Sequence, residues 1–490
     1  MSDLLRLLIL IPAFAVSTLA GAAEPTLPPA APWFNVSRPL SAPDLRGRVV
    51  LFDFFTPGCI NCIHMLPELQ RLQHEFGKSL LIIGVNSPKF IASQRSDNIE
   101  GFIQRYNIRH PILTDQGMIL WHHYGVFAWP TLILLDPNGE VAGRYIGEGH
   151  YAEIRHDVIQ TLLRARKNHR LVDTPLPLQP PVPSSHGLLQ PGKVAVQGDR
   201  VAIADTGHNR VLLLNRSGKL LRIIGNGHPG DRNGAPEQAE FRSPQGLAFV
   251  GQSLYVADTD NQLIRRIDLA NDRVSTVAGN GRRRFAVMGK HPARSVALNS
   301  PWGLQAVGRV LYIAMAGEHQ IWRLDLANER IGPYAGNGHE GIDDGSLAQA
   351  SFAQSSGLAY HQGILYVADP EASALRAIHL DKGQVRTLIG EGLFVFGLRN
   401  GSASQALLQH DQGLSWLDGR LYIADTFNNA IRVFDPRTKQ VSTLATGLDQ
   451  PGGLVALNAH TLLVADTNAD RIVTVNIRNG AVRPWPIHGW

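Results

Sequence analysis

Cysteine is scarce in this sequence, which contains only two among 490 residues. A framework of structural disulfides is therefore excluded. Both cysteines belong to one C-x-x-C motif, formed by Cys59 and Cys62, so all cysteine chemistry is confined to that motif. There is no second such pair, and a zinc site would have to recruit histidines such as His64, His122 or His123.

Charged residues are also sparse, at 18% of the chain, and the formal net charge of +5 is a small excess for this length. The only dense basic cluster is Arg282, Arg283 and Arg284, without the stripe of basic and aromatic residues that nucleic-acid-binding proteins carry. We therefore expect no nucleic-acid partner. The hydrophobic content of 44% suffices for large cores, and the length favours about three domains.

The N-terminal segment from Leu7 to Ala23 has no charged residue, follows Arg6 and ends in small residues. This pattern is typical of a secretory signal peptide, here residues 1–23, and predicts an exported, periplasmic protein. The alternative is an uncleaved membrane anchor formed by residues 7–23, which is at the short limit for spanning a bilayer. Export agrees with a lone dithiol, which would have no scrambling partners in an oxidising compartment.

The C-x-x-C motif lies where a strand pattern changes into a helix pattern. Residues 48–55 are β-branched, aromatic and strand-length, which predicts a buried strand. After the motif, apolar residues recur at steps of three and four up to Phe76, which predicts a helix that ends near Gly77. Cys59 would therefore lie at the helix start, where peptide dipoles stabilise a thiolate, and Cys62 one turn inside. We expect Cys59 to attack and Cys62 to resolve the mixed disulfide.

This segment resembles the active site of the thioredoxin superfamily. The resemblance implies that Asp53 is the buried acid that assists proton transfer to the second thiol, and that Pro67 kinks the active-site helix. It also implies that Pro130, in Trp129-Pro130-Thr131, is the cis-proline that faces the dithiol, and that the backbone beside it pairs with a substrate chain. The sequence departs from the usual pattern at two places, with Gly58 before the first cysteine and Ile60-Asn61 between the pair.

Three questions about the dithiol stay open at the level of sequence. The residues around the pair tune its reduction potential, so the pair could reduce, oxidise or isomerise disulfides. It could instead be half of a metal site, or a permanent disulfide, although a loop this small would stabilise little. We expect no bound cofactor other than the redox-active disulfide Cys59–Cys62, and no metal.

Patterns along the chain predict a multidomain protein. Residues 33–166 alternate strand and helix patterns, which predicts an α/β thioredoxin-like domain. Residues 167–187 form a proline-rich linker with five prolines between positions 173 and 183. Residues 188–490 carry six copies of a repeat of about 40 residues with four short strand patterns each, which predicts an all-β six-bladed β-propeller.

The repeats resemble the NHL family, in which a Gly-Leu strand precedes an Ala-Asp-Thr turn, as at Asp258 and Asp425. Inserts at residues 228–242, 282–299, 339–353 and 393–409 fall at one type of junction, so we expect them on one face of the disc. We expect the repeated aspartates to cap turns rather than to bind metal. Met315 replaces the aspartate in the third copy, and no spacing groups the histidines near the turns, which are His208, His319 and His460.

Together, the two parts resemble a family of NHL-repeat proteins in which a thioredoxin-like domain precedes the propeller. The predicted function is that of an exported thiol-disulfide oxidoreductase, with Cys59, Cys62, Asp53 and Pro130 as site residues and with protein thiols or disulfides as substrates. The propeller would dock a protein partner. The alternative is a non-enzymatic interaction scaffold whose thioredoxin-like domain is vestigial or senses oxidants.

Overall fold

The computed structural model describes residues 27–28, 31–181 and 187–490. The predicted signal peptide, residues 1–23, lies outside these residues, as does part of the predicted linker. No helix of the described chain is both long and apolar enough to cross a bilayer.

The N-terminal domain is a six-stranded sheet with helices on both faces. Its strands are β1 (Trp33–Phe34), β2 (Val49–Phe55), β3 (Leu80–Asn86), β4 (Ile112–Thr114), β5 (Thr131–Leu135) and β6 (Val141–Ile146). Its helices are α1 (Ala42–Leu45), α2 (Ile60–Phe76), α3 (Ser96–Arg105), α4 (Ile119–His123) and α5 (Tyr151–Lys167). The strand order is β1-β4-β3-β2-β5-β6, and β2 runs parallel to β3 but antiparallel to β5. The sheet is therefore mixed.

Central strand β2 is buried along its whole length because both faces of the sheet are covered. Leu51 and its neighbours on one face pack with α2, α3 and α5. Phe52 and Phe54 point to the opposite face and pack against Leu120 and Trp121 of α4. This two-sided burial explains the continuous apolar run in the sequence.

The second part of the chain is a β-propeller of six sheets. The first two blades contain β7 (Val194–Gln197), β8 (Arg200–Asp205), β9 (Arg210–Asn215) and β10 (Leu220–Ile224), then β11 (Pro244–Val250), β12 (Ser253–Asp258), β13 (Leu263–Asp268) and β14 (Arg273–Ala278). Blade three contains β15 (His291–Pro292), β16 (Pro301–Val307), β17 (Val310–Met315), β18 (Gln320–Asp325) and β19 (Arg330–Ala335).

The remaining blades repeat the pattern. Blade four contains β20 (Gly345–Ser346), β21 (Gly357–His361), β22 (Ile364–Asp369), β23 (Ala374–His379) and β24 (Gln384–Ile389). Blade five contains β25 (Gly401–Ser402), β26 (Gly413–Leu417), β27 (Arg420–Asp425), β28 (Ala430–Asp435) and β29 (Gln440–Ala445). Blade six contains β30 (Pro451–Asn458), β31 (Thr461–Asp466), β32 (Arg471–Asn476) and β33 (Val482–Pro484). The inserts of blades three to five add a short fifth strand at the outer edge.

Four of the five glycines of the Gly-Leu repeats line the central channel, where neighbouring inner strands come close together: Gly246, Gly303, Gly357 and Gly413. A Cβ atom at Gly246 would lie 2.3 Å from the carbonyl oxygen of Trp302, and one at Gly303 would lie 2.4 Å from that of Ser356. No side chain fits at these distances, which explains the repeated glycine.

The repeated aspartates hold the blades together from within. Asp258 accepts a hydrogen bond from the Arg242 backbone N–H through one oxygen, and bonds Arg265 at 2.7 Å through the other. Asp425 makes the matching bonds to the Gln409 backbone and to Arg432. The role of these aspartates is structural but, contrary to the expectation from the sequence, they do not cap the turns that follow them. Their carboxylates instead join the segment before the inner strand to an arginine of the third strand.

Blade three has no ion pair at the equivalent position. The sulfur of Met315 accepts the equivalent backbone hydrogen bond from Asn299 at 3.4 Å. Trp322 lies seven positions later, where blades two and five carry Arg265 and Arg432, and it is fully buried. An apolar pair thus replaces the charged pair in one blade.

Candidate active site

The dithiol lies at the end of β2 and the start of α2. Cys59 is the N-cap residue of α2, and its Sγ accepts a hydrogen bond from the Cys62 backbone N–H at 3.2 Å. Gly58, which precedes Cys59, has a φ of +96°, a conformation that favours glycine. Both cysteines are free thiols. The Cys59 sulfur therefore lies at the N-terminal, positive end of the helix dipole.

The second thiol, Cys62, and the nearby carboxyl group of Asp53 are both buried. Burial raises the pKa of Cys62 well above its usual range, and the hydrogen bond and charge of Cys59 raise it further. Burial also raises the pKa of Asp53 to about 7. Asp53 Oδ1 has no hydrogen-bond partner among the described residues. The arrangement favours Cys62 as the protonated thiol and Asp53 as a group that can exchange a proton near neutral pH.

The two prolines implied by the thioredoxin resemblance occupy distinct places. Pro67 lies inside α2. Pro130 is buried immediately before β5, and the Trp129–Pro130 peptide is cis. The Trp129 indole N–H donates to the carbonyl oxygen of Ser87 at 3.0 Å, which anchors this loop to the end of β3.

The propeller packs directly on the start of α2. The backbone N–H of Ile60 donates to Oε1 of Gln354, from blade four, at 2.7 Å. His64, two residues after Cys62, contacts Ser300 of blade three through Nε2 at 2.6 Å and Glu148 through Nδ1 at 2.8 Å. Burial lowers the pKa of His64, although Glu148 opposes that shift. His64 is therefore an interdomain contact.

A second interdomain contact lies on the segment after β3. Lys89 forms a buried ion pair with Glu371 of blade four, with Nζ 2.6 Å from Oε2. The next residue, Phe90, has ring contacts with Phe396, His410 and Phe427 of blade five. The two contacts together fix the propeller over the thiol end of the domain.

Six residues at the entrances of the inner strands create the surface that receives the thioredoxin-like domain. Each stands at the same place in its blade, has a polar side chain and has a positive φ. We call them the polar ring: Gln190, Ser243, Ser300, Gln354, His410 and Gln450. Sequence reasoning missed them. The signal was a polar residue three positions before the Gly of the Gly-Leu repeat, as in Ser243 before Gly246.

Adjacent blades are joined through this ring. Side chains at the tight turn of one blade accept hydrogen bonds from ring backbone N–H groups of the next, as Asn429 does from Gln450 at 2.9 Å. Asp470 of blade six does the same for Gln190 of blade one, at 2.6 Å, so the ring is closed. The same joint holds Ser243, Ser300 and His410, so the polar ring is a platform in which most blades share one kind of junction.

The docked propeller covers the dithiol. Cys59 is 4% exposed and Cys62 is 2% exposed. The space left between the two domains at this point is a cavity of about 40 Å³, bordered by Gly58, Ile60, Trp302, Gln354 and His410 among others. A polypeptide substrate has no room beside Cys59 in this arrangement.

Histidines considered as metal ligands do not come together. His64 is bound to Glu148 and Ser300, whereas His122 and His123 lie on α4. His208 pairs with Asp205, and His460 contacts Arg478. Across residues 27–28, 31–181 and 187–490, no group of three or more His, Cys, Asp or Glu side chains has the arrangement of a metal site.

The comparisons with known proteins match both parts of the chain. The thioredoxin-like family model matches residues 47–141. NHL repeat-containing protein 2 of Homo sapiens is 38% identical over 521 aligned residues, which cover 94% of this chain and 71% of the human protein. The chain belongs to the NHL repeat-containing protein 2 family. A thioredoxin-like domain followed by a six-bladed propeller, as the sequence predicted, is thus confirmed.

The chain is also similar to two proteins with other names. Protein SUPPRESSOR OF QUENCHING 1, chloroplastic, of Arabidopsis thaliana is 37% identical over 93% of this chain and 47% of its own length. Thiol-disulfide oxidoreductase ResA of Halalkalibacterium halodurans is 26% identical over 21% of this chain and 57% of its own length. The first similarity spans both domains, whereas the second is confined to a short part of the chain.

Proposed function

We propose that this protein is an exported thiol-disulfide oxidoreductase that works through Cys59 and Cys62. The observation that carries the proposal is the helix-capping sulfur of Cys59, hydrogen-bonded to the Cys62 N–H above the buried Asp53. The similarity of part of this chain to ResA, which is named as a thiol-disulfide oxidoreductase, supports the proposed enzyme class. Export rests on the charge-free N-terminal segment of the sequence.

In the first step, the Cys59 thiolate attacks one sulfur of a partner disulfide. A bond forms between Cys59 Sγ and that sulfur, the partner S–S bond breaks, and the other partner sulfur leaves as a thiolate. The backbone beside Pro130 would pair with the extended partner chain. The product is a mixed disulfide at Cys59.

In the second step, Cys62 releases the partner. Its thiol gives its proton to the Asp53 carboxylate, whose pKa of about 7 suits both directions of transfer. Cys62 Sγ then attacks Cys59 Sγ, and the second partner sulfur leaves as a thiolate. Two electrons have passed from the dithiol to the partner, which ends as two thiols while Cys59 and Cys62 end as a disulfide. The reverse sequence oxidises a partner dithiol.

The propeller would contribute by docking a protein partner. In the closed arrangement it covers Cys59, so a polypeptide disulfide reaches this sulfur only after the two domains separate. The proposed partner therefore binds the disc and the thioredoxin-like domain in an open arrangement. Protein thiols and disulfides are the substrate class.

Reduction of a model protein disulfide tests the proposal directly. Wild-type protein supplied with a small dithiol reductant should accelerate reduction of insulin, and Cys59→Ser should be no faster than the reductant alone. The Cys62→Ser variant should accumulate covalent adducts through Cys59, detected as higher-mass species that a reductant removes. Equal inactivity of wild type and Cys59→Ser, with no adduct in Cys62→Ser, would contradict the proposal.

The covered dithiol favours a second candidate function, that of an interaction scaffold. If the domains do not separate, the propeller is the working surface and the thiols are inert. A scaffold would bind its protein partner equally well in wild type and in a Cys59→Ser/Cys62→Ser double variant, and would form no adduct. Thiol-dependent capture of the partner would exclude it.

A further inference from the structure

One blade departs from the glycine pattern of the central channel. Five blades carry a glycine three positions after their polar-ring residue, whereas blade one carries Lys193 three positions after Gln190. Lys193 borders the channel and is 9% exposed. Its side chain runs along blade six, where a Cβ atom built on Gly453 would lie 3.0 Å from Lys193 Cδ. A long cationic side chain therefore occupies a place where the other blades have none.

The ammonium group of Lys193 is only partly satisfied. Nζ donates to the carbonyl oxygen of Gly452 at 2.5 Å and to that of Gln412. An ammonium group has three N–H donors, so one donor is left without an acceptor among the described residues. Asp411 acts on Lys193 through its charge, but neither of its oxygens has a hydrogen-bond partner in the described chain. The ammonium thus has carbonyl neighbours but no hydrogen-bonded counter-ion.

The walls of the channel suit an aliphatic ligand with one negative charge. Among the described residues that line the channel, Lys193 has the only side chain with a formal charge. A dianion would keep one of its charges unpaired in these surroundings, which is costly. A monocarboxylate has the single charge that one lysine can pair. Leucines of five inner strands form much of the remaining wall: Leu247, Leu304, Leu358, Leu414 and Leu454.

The inner strands give the channel a direction and further hydrogen-bonding groups. Each inner strand is the edge strand of its sheet, so one row of its N–H and C=O groups has no strand partner. From Lys193 to Gln197 the channel follows β7 for about 13 Å at the usual strand spacing. Gln197, Phe249 and Gln305 at that end are half-buried, whereas Lys193 is buried near the polar ring. The accessible mouth therefore lies on the face of the disc away from the thioredoxin-like domain.

We propose that the central channel is a binding site for an aliphatic carboxylate, which enters from that face and pairs with Lys193. The carboxylate supplies the missing acceptor and counter-charge, and its aliphatic part contacts the leucine-lined wall. A free short-chain monocarboxylic acid and the C-terminus of an extended chain share this chemistry. The channel volume of about 260 Å³ is too small for a folded domain. The site contains neither Cys59 nor Cys62, so the inference is independent of the proposed redox function.

The pKa of Lys193 gives this binding a measurable signature. Burial lowers the pKa of Lys193 to about 7, the charge of Asp411 opposes that shift, and the charge of Arg105 adds to it. Burial raises the pKa of Asp411 well above its usual range. Above pH 7 the amine of the free protein is therefore mostly neutral, and a bound carboxylate should draw a proton onto it. At pH 8 binding should take up close to one proton, and affinity should fall as the pH rises further.

The test is isothermal titration calorimetry of the full-length protein with three probes, namely hexanoate, trileucine and trileucine amide. Lys193→Met removes the ammonium group but keeps an unbranched side chain, so it should weaken carboxylate binding at least about tenfold. Lys219→Met is the matched control, because Lys219 is an exposed lysine of the same blade outside the channel, and it should leave the affinity unchanged. Lys193→Gly, which gives blade one the residue of the other five blades, replaces Lys193→Met if that variant folds poorly.

The probes distinguish the two sources of the carboxylate. Binding of hexanoate alone assigns the site to free acids, whereas binding of trileucine that is lost in its amide assigns the site to a chain terminus. Proton uptake is measured at pH 8 in two buffers with different ionisation enthalpies. Uptake should occur in wild type and disappear in Lys193→Met, which a merely structural lysine would not produce.

A role of Lys193 confined to joining blades one, five and six predicts a different result. Lys193→Met would then lower the midpoint of chemical denaturation, while wild type would bind none of the probes, and that outcome would overturn the proposal. Equal affinities of wild type and Lys193→Met for the acids would also overturn it, because the apolar walls alone would then hold the ligand. Equal proton uptake in the two proteins would assign the charge to another group, with the same consequence. Insulin reduction by wild type tests the redox function separately, so the failure of one proposal does not decide the other.

Discussion

Asp53 in the thioredoxin-like domain and Asp425 in blade five are both almost fully buried carboxyl groups, but they have different surroundings. Burial raises the pKa of Asp53 to about 7 and that of Asp425 to about 6. Burial therefore affects both carboxyl groups in the same direction, and the difference between them lies in their hydrogen-bond partners. Asp425 is bonded to Arg432, Asn428 and the Gln409 backbone, whereas Asp53 Oδ1 has no partner within the described chain.

This difference separates a structural carboxyl group from one that can transfer protons. The Asp425–Arg432 pair is held by hydrogen bonds on both sides, and Arg432 also donates to the backbone carbonyl oxygens of Leu407 and Arg399. Protonation of Asp425 would break this network. Asp53 gains or loses a proton without breaking a bond to a neighbour, which is what a proton acceptor for Cys62 requires.

The largest expected effect on stability comes from removing the arginine that pairs with a buried aspartate. Arg432→Met leaves Asp425 buried without its counter-charge and should lower the free energy of unfolding of the propeller by about 3–5 kcal/mol. The measurement is chemical denaturation followed by circular dichroism. A loss near zero would show that the pair is not a structural element.

The matched control introduces into blade five the apolar pair of blade three, Met315 and Trp322. The double variant Asp425→Met/Arg432→Trp should be more stable than Arg432→Met alone, because no unpaired charge remains. A double variant that is less stable than the single one would mean that the bonds of Arg432 to Leu407 and Arg399 matter more than the charge.

The second prediction concerns the pH dependence that Asp53 imposes. Its pKa is about 7 in the folded state and about 3.9 in an unfolded chain. Its stabilising contribution is therefore complete below about pH 4 and is lost as the pH rises through 7. Between pH 5 and pH 8, Asp53→Asn should gain roughly 2–3 kcal/mol relative to wild type. Parallel stability profiles for the two proteins would show that Asp53 is ionised throughout.

The smallest expected effect on stability concerns Met315, which takes the place of the aspartate in blade three. Met315→Leu keeps the volume of the side chain but removes the sulfur that accepts the Asn299 N–H. We expect a loss of about 1 kcal/mol from the unpaired buried N–H. Asp425→Leu, the matched change in blade five, should cost clearly more because it also strands Arg432. Equal losses in denaturation experiments would contradict the distinction between the two blades.

The local parts of this architecture could be predicted from the sequence. Strand β2, helix α2 and the position of the dithiol between them follow from hydrophobic periodicity. The six blades follow from the repeat, and the Asp–Arg spacing of seven that becomes Met315–Trp322 in blade three is also visible in the sequence. The thioredoxin resemblance supplied Asp53 and Pro130.

The cover over the dithiol could not be predicted. It depends on contacts such as Ile60 with Gln354, which are 294 positions apart, and on the ion pair of Lys89 with Glu371. No local pattern encodes which blade meets which helix. The polar ring was missed for the same reason, because its contacts with the thioredoxin-like domain come from the docked arrangement rather than from neighbours in the chain.

The buried ion pair of Lys89 and Glu371 has a consequence for how the closed form responds to its surroundings. Salt in the medium screens exposed charges strongly but reaches a sealed pair poorly. Closure should therefore persist across wide changes in salinity. A protein built this way would keep its dithiol covered in bulk solution, and a specific protein contact, rather than a change in ionic strength, would be needed to expose it.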